Sequence, residues 1–180
     1  MSEPIGVVLA GGASTRIGEP KATVALAGRP LISYPLAALR GALTEVVVSV
    51  APDTPGLEDV VTWVQAAEGR HPLLGVIDAL ERAAPRAIVV CPVDMPFVST
   101  ATIERLVAAP VRGAVVARAG ADVQPLLARF DASLLGRLRG LGRVHDTVLA
   151  LDPAWLEIAA GELLNVNTPE DLAAAERLLG

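Results

Sequence analysis

The feature that most restricts the fold is an apolar run, Ile5–Leu9 (IGVVL), that passes directly into AGGASTRIGEPK. A continuous apolar stretch closed by glycines reads as a strand buried on both faces that ends in a loop. The same punctuation recurs along the chain. Residues 45–50 (EVVVSV) and 87–91 (AIVVC, stopped by Pro92) read as further central strands, and residues 60–64 can form a short one. Residues 31–39 and 73–84 carry apolar side chains at helical spacing, with Pro30 placed for the first turn of the former, and residues 53–56 read as a turn. Ser99 or Thr100 can N-cap a helix running to Ala108, with Glu104 as a loose capping-box partner. Beyond it, residues 113–118 and 123–130 are extended and residues 131–138 helical. Residues 139–143 (RGLGR) form a flexible turn, and residues 155–159 a last strand. Thr168 can cap a closing helix, with Pro169 in its first turn and Asp171 at its third position. Alternating strands and helices predict one α/β domain over residues 1–180, with an open, mostly parallel sheet covered on both faces. Right-handed crossovers would then bring the loops after the first and third central strands to one edge, where such folds bind ligands.

Composition narrows the function. Hydrophobic residues make up 52% of the chain, spread over many short segments, and no apolar run reaches the ~18 residues of a membrane span. The N-terminus has no basic region ahead of its first strand, so the expected location is the cytoplasm. A net charge of −5 argues against nucleic acid as the main partner, because phosphate backbones recruit basic faces. The lone Cys91 excludes an internal disulfide and a cysteine-built zinc site, and reads as a buried small hydrophobe. Of 15 basic residues only Lys21 is a lysine. In a chain that otherwise uses arginine, a compact ammonium at one place has either a specific task at a phosphate or no task at all.

Its neighbourhood favours the phosphate. Gly11 and Gly12 allow close backbone approach and point successive N–H groups at an anion, and Arg16 and Lys21 add mobile charge in the same loop. The loop lacks the Gly-Lys-Ser/Thr of a Walker A motif and the G-x-G-x-x-G of a dinucleotide fold. Asp94 follows the third central strand in a loop braced by Pro92 and Pro96. A carboxylate there can hold Mg²⁺ together with substrate phosphates, or simply occupy a turn. In NVNTP, Asn167 or Thr168 can cap the final helix; Asn165, two residues earlier on the same side of an extended segment, needs another explanation. Gln124-Pro125 opens QPLLARF, as a strand start or a substrate contact. His71 reads as a loop residue, and His145 has no visible partner.

The run LAGGASTRIGEPKATVALAGRPLI resembles the signature loop of sugar-nucleotide and molybdopterin nucleotidyltransferases. VDMPF, QPLLARF and NVNTPEDL are similar to the later motifs of the molybdenum cofactor guanylyltransferases, in the same order, so the likeness extends from Leu9 to Leu172. The resemblance implies a three-layer, Rossmann-like nucleotidyltransferase fold. It also implies a reaction in which the terminal phosphate of molybdopterin attacks the α-phosphorus of GTP and releases pyrophosphate, with Mg²⁺ as cofactor. By position, Leu9, Ala10, Gly11, Gly12 and Lys21 would hold the nucleotide, and Asp94 both the nucleotide and the metal. Arg16, Lys21 and Asp94 would be catalytic, while Gly18, Gly75, Arg143, Asn165 and Asn167 match positions for the pterin half. Molybdoenzymes or other cofactor-biosynthesis proteins would be its protein partners. The chain departs from the pattern at three places. His71-Pro72-Leu73-Leu74-Gly75 stands for G-P-L-A-G, Ala51 or Pro52 for an asparagine, and VTWVQAAEG lacks the usual nucleoside-holding acid. A cytidylyltransferase for the same pterin is the related alternative, although Gly11 and Met95 depart from its L-A-A-G and D-Q-P. A non-catalytic nucleotide- or pterin-binding partner domain is the alternative of another class.

Overall fold

Strand β1 (Ile5–Leu9) lies third in a seven-stranded sheet in the computed structural model, which describes residues 2–10, 21–51, 57, 60–65, 71–110, 112–140 and 142–180. A two-stranded ribbon, β2 (Ala25–Leu26) and β3 (Arg29–Pro30), precedes helix α1 (Ser33–Ala42). Strands β4 (Val46–Val50) and β5 (Thr62–Val64) follow, then α2 (Pro72–Ala83), β6 (Ile88–Pro92) and α3 (Thr100–Ala108). Next come β7 (Ala114–Ala119), β8 (Asp122–Phe130), α4 (Leu135–Leu138), α5 (Val144–Leu149), β9 (Ala154–Glu157) and α6 (Pro169–Leu179).

The strand order is β5-β4-β1-β6-β8-β7-β9, parallel except for β8, which runs against both neighbours. The apolar runs are continuous because each face of the sheet is covered. Val8, Val48, Val89 and Cys91 join Leu36 and Leu39 of α1 and Ile103 and Leu106 of α3 in one core. Val7, Val47, Ile88 and Val90 pack with Leu73, Val76 and Leu80 of α2 and with Phe130, Leu138 and Val148 in the other. Successive strand residues thus feed opposite layers. Among the described residues no helix is long and apolar enough to cross a membrane.

Two expectations are corrected and two features are added. Pro30 lies in β3 rather than in the first turn of a helix, because residues 25–30 fold back as a ribbon before α1 begins at Ser33. Residues 144–149, left without an element by the sequence, form α5. Ser99 caps α3 by accepting the Thr102 N–H at 3.2 Å, but its own N–H goes to Glu162 at 2.9 Å rather than to Glu104. A residue far away in sequence therefore completes the cap. His71 lies in the loop before α2, as the sequence suggests, and there its Nδ1 accepts the Leu73 N–H at 3.3 Å and caps the helix. The turn expected at residues 53–56 lies outside the described residues. Thr168 and Asp171 form the full capping box of α6, with Pro169 in the first turn as the sequence requires.

Candidate active site

The carboxyl ends of β1 and β6 lie side by side, in register from Ile5↔Ile88 to Leu9↔Pro92. The chain keeps them joined just beyond the ladder. The Val93 N–H donates to the Leu9 carbonyl at 3.1 Å, and the Ala10 N–H donates to the Ser49 carbonyl of β4 at 2.9 Å. Leu9, Ala10 and Asp94 are therefore set on one edge by backbone hydrogen bonds that do not depend on side-chain identity.

Residues 11–20 lie outside the described residues, and with them Gly11, Gly12, Arg16 and Gly18. The chain is described again at Lys21, whose Nζ stands 3.0 Å from Asp94 Oδ2 and 2.6 Å from Asn167 Oδ1. The three residues come from the ends of three separate segments. Asp94 is in the loop after β6, and its carbonyl accepts the Val166 N–H at 2.8 Å, which ties the NVN segment to that loop. Val166 is buried with Leu26, Leu31 and Ala175, packed by Tyr34, Phe97 and Leu172. This small third core gives the β2–β3 ribbon its purpose. It anchors the chain just past Lys21 against α6 and against Phe97 of the DMPF motif. The Lys21 and Asp94 side chains remain 17% and 21% exposed, open enough to exchange each other for ligand groups.

Asn167 has its side chain free for Lys21 because Thr168 does the capping. Its backbone N–H donates to Asp171 Oδ2 at 2.9 Å. That bond comes first among the causes holding the Asp171 carboxyl below its ordinary 3.8, followed by the Thr168 side chain, with the Lys21 charge a smaller contributor. Asn165 takes a different direction. Its Nδ2 donates to the Leu163 carbonyl at 3.1 Å, and its Oδ1 receives Gln124 Nε2 at 3.5 Å. Gln124 stands at a break in the β7–β8 ladder, where the register jumps from Val116↔Ala128 to Ala117↔Gln124. A bulge containing Pro125 both tolerates the missing N–H and re-aims the glutamine. Cys91 is inert: burial, reinforced by the Asp94 charge, pushes its thiol up beyond any physiological titration.

Gly75 lies away from the asparagines. It is buried in α2, and a Cβ on it would stand 2.8 Å from Gln65 Nε2 and 3.1 Å from both Leu9 Cδ2 and Ser49 Oγ. Gly75 thus belongs with β1, β4 and the end of β5, while Gln124 and Asn165 lie beyond β6 on the β8 side. Sequence reasoning did not single out Gln65. It is a buried amide whose Nε2 reaches Ser49 Oγ at 3.3 Å and whose N–H donates to the Val50 carbonyl at 2.9 Å. The one signal available was a polar residue directly after the strand-like TWV. Arg143 is exposed at the N-cap of α5 and meets neither cluster in the contacts described.

Among the described residues no three acidic, histidine or cysteine side chains converge as a metal cage. The chemistry of Asp94, a single carboxylate with Lys21 beside it, fits a hard cation such as Mg²⁺, which one carboxylate can hold together with substrate phosphates.

A mostly parallel α/β sheet with a glycine-rich sequence after its first strand, and with Lys21 set against Asp94 beyond the neighbouring strand, is the frame of a nucleotidyltransferase. The chain matches the MobA-like NTP transferase domain over residues 6–151 and belongs to that family. It is 34% identical to the molybdenum cofactor guanylyltransferase of Cereibacter sphaeroides, over 97% of this chain and 96% of that one. The crystal structure of molybdopterin-guanine dinucleotide biosynthesis protein A from Archaeoglobus fulgidus superposes with a TM-score of 0.82 at 23% identity, covering 97% of each chain. The 2-C-methyl-D-erythritol 4-phosphate cytidylyltransferase of Thermus thermophilus superposes with a TM-score of 0.71 at 27% identity, covering 97% of this chain and 98% of that one.

Proposed function

We propose that this chain transfers GMP from GTP to the terminal phosphate of molybdopterin, acting in the cytoplasm. An oxygen of the acceptor phosphate attacks the α-phosphorus, the bond to the bridging α–β oxygen breaks, and pyrophosphate leaves. The observation that carries the reading is the Lys21–Asp94–Asn167 cluster at the joined ends of β1 and β6. With no substrate, the ammonium and the carboxylate neutralise each other at 3.0 Å. With a triphosphate between them, Lys21 turns to the phosphate oxygens and Asp94 is released to a cation. Bound Mg²⁺ would supply charge neutralisation at the phosphates, and Asp94 is the residue that would hold it. Asn167 keeps the ammonium aimed in both states. Positioning and fixed charge of this kind are what phosphoryl chemistry draws on.

The two flanks divide the substrates. The β4–β5 side, with Leu9, Ser49, Gly75 and Gln65, takes the nucleoside, and Gln65 supplies a neutral amide there. An amide both donates and accepts, so it can serve a guanine or a cytosine edge. The β8 side, with Gln124 and Asn165, takes the pterin, and the product passes to a molybdoenzyme or another protein of cofactor biosynthesis. The test incubates the enzyme with Mg²⁺, molybdopterin and each of the four NTPs in turn, and separates any dinucleotide formed. Guanine dinucleotide from the wild type and none from Asp94→Asn, with an unchanged melting temperature, is the expected result. Product from CTP alone would make it the cytidylyltransferase. No product from any NTP would leave a binding domain.

A further inference from the structure

The end of the sheet opposite Asp94 holds a cleft of about 530 Å³. Its lining comes from residues just outside the strand ends: Pro4 before β1, Ala87 before β6, Arg112 before β7 and Asp131 after the antiparallel β8. Strands β1 and β6 each run for five residues between this cleft and the Lys21–Asp94 cluster. At ~3.3 Å per residue the two sites lie roughly 17 Å apart. The cleft is therefore not an extension of the nucleotide site, and its size falls within the usual ligand-pocket range of roughly 300–1,000 Å³.

Five charged residues line it: Arg86, Arg112 and Arg129 against Glu3 and Asp131. Most of them are engaged by the protein itself. Glu3 Oε2 accepts the N–H and the hydroxyl of Thr44. Asp131 Oδ2 accepts the Gly113 N–H at 2.8 Å, and its Oδ1 faces Arg129 Nε at 3.4 Å. Arg86 spans the Glu3 carbonyl at 2.8 Å and the Glu45 carboxylate at 2.5 Å. Arg129 is buried and ties off the end of α3, donating to the carbonyls of Leu106, Val107 and Ala109. Arg112 differs. It is exposed at the rim and makes no hydrogen bond or ion pair with any described residue. Its backbone is nevertheless held, because the next residue, Gly113, exchanges hydrogen bonds in both directions with Asp131.

With Glu45 paired to Arg86 and Asp131 beside Arg129, the cleft thus offers one guanidinium that is positioned but not consumed, that of Arg112. A planar fork of donors is suited to a carboxylate or a phosphate, which it can grip through two parallel hydrogen bonds. We infer that this cleft is a second ligand site, distinct from the nucleotidyl-transfer site, which binds a small organic oxyanion through Arg112.

Amide NMR titration of the full chain with inorganic phosphate, with succinate and with chloride tests the inference. Saturable shifts at Gly113, Ala132 and Ser133 at millimolar oxyanion are expected. They should weaken at least about tenfold in Arg112→Ala and stay unchanged in Lys21→Ala, which disables the other anion site. Arg112 is exposed and makes no hydrogen bond or ion pair with a described residue, so its replacement should leave the fold intact, and the melting temperature checks this. A response to phosphate alone assigns phosphate esters, and a response to succinate alone assigns carboxylates. Equal response to chloride, persistence in Arg112→Ala, or shifts confined to the surroundings of Lys21 would overturn the assignment.

Discussion

Replacing Gly75 by alanine distinguishes the nucleoside reading of this glycine from the pterin reading that family position implies. The added Cβ would lie 2.8 Å from Gln65 Nε2, with Leu9 Cδ2 and Ser49 Oγ both at 3.1 Å. Overpacking a filled site costs ~1–3 kcal/mol, and alanine in a helix interior recovers up to ~1 kcal/mol over glycine. The cheapest group to move is the flexible Gln65 amide, so the net cost should be near ~1 kcal/mol. That lowers the melting temperature by about 2–4 °C for a chain of this length. The functional effect should exceed the structural one. Gln65 is driven from Ser49, and Leu9, directly before the glycine loop, is pressed outward. GTP affinity should fall about tenfold, ~1.4 kcal/mol, while the KM for molybdopterin changes little. Calorimetric titration with GTP and Mg²⁺, paired with steady-state kinetics in the acceptor, reads both quantities. GTP binding within twofold of wild type together with a raised acceptor KM would refute the reasoning and return Gly75 to the pterin side.

Lys21→Arg should lose most turnover despite keeping the charge, because a longer, planar guanidinium cannot occupy the place of the compact ammonium that stands 3.0 Å from Asp94 and 2.6 Å from Asn167; near-native kcat would remove the argument. Asn165→Ala should leave GTP binding within about twofold and weaken use of molybdopterin about tenfold or more, whereas a purely structural asparagine would lower the melting temperature and affect both ligands alike. The Asp171 carboxyl is held below 3.8 in the folded chain, so its contribution to stability is complete above the unfolded value and disappears as pH falls through the lower folded one. Thermal melts of wild type and Asp171→Asn should therefore differ at neutral pH and converge in strong acid; a difference independent of pH would show that the carboxylate charge is not what the capping box uses.

The parts of this protein legible from sequence are those whose causes are local. Strands covered on both faces are continuous apolar runs, so β1, β4 and β6 were found nearly to the residue. The α6 cap is written within four residues, because Thr168 and Asp171 need only each other's backbone. Right-handed crossovers between parallel strands put the segments after β1 and β6, and with them Lys21 and Asp94, at one edge. Where a choice depended on a distant partner, sequence had no access to it. Lys21 reaches Asn167 across 146 residues, which brings that asparagine to the Lys21–Asp94 pair although its motif neighbour Asn165 turns to Gln124. Glu104 stood at a plausible spacing, yet Glu162 took the Ser99 N–H, since a carboxylate delivered by packing satisfies the donor as well as a local one. Helix α5 went unread because it is six residues long and buries only Thr147 and Val148, too few to set a period. The reversed direction of β8 and the contact of Gly75 with Gln65 likewise have no local signature. Sequence determined which segments could be strand, helix or phosphate loop, because those preferences are set by side chains a few bonds apart. Only the tertiary structure decided which side chains share a site, because that follows from how the β2–β3 ribbon, the NVN segment and α2 are packed onto the sheet.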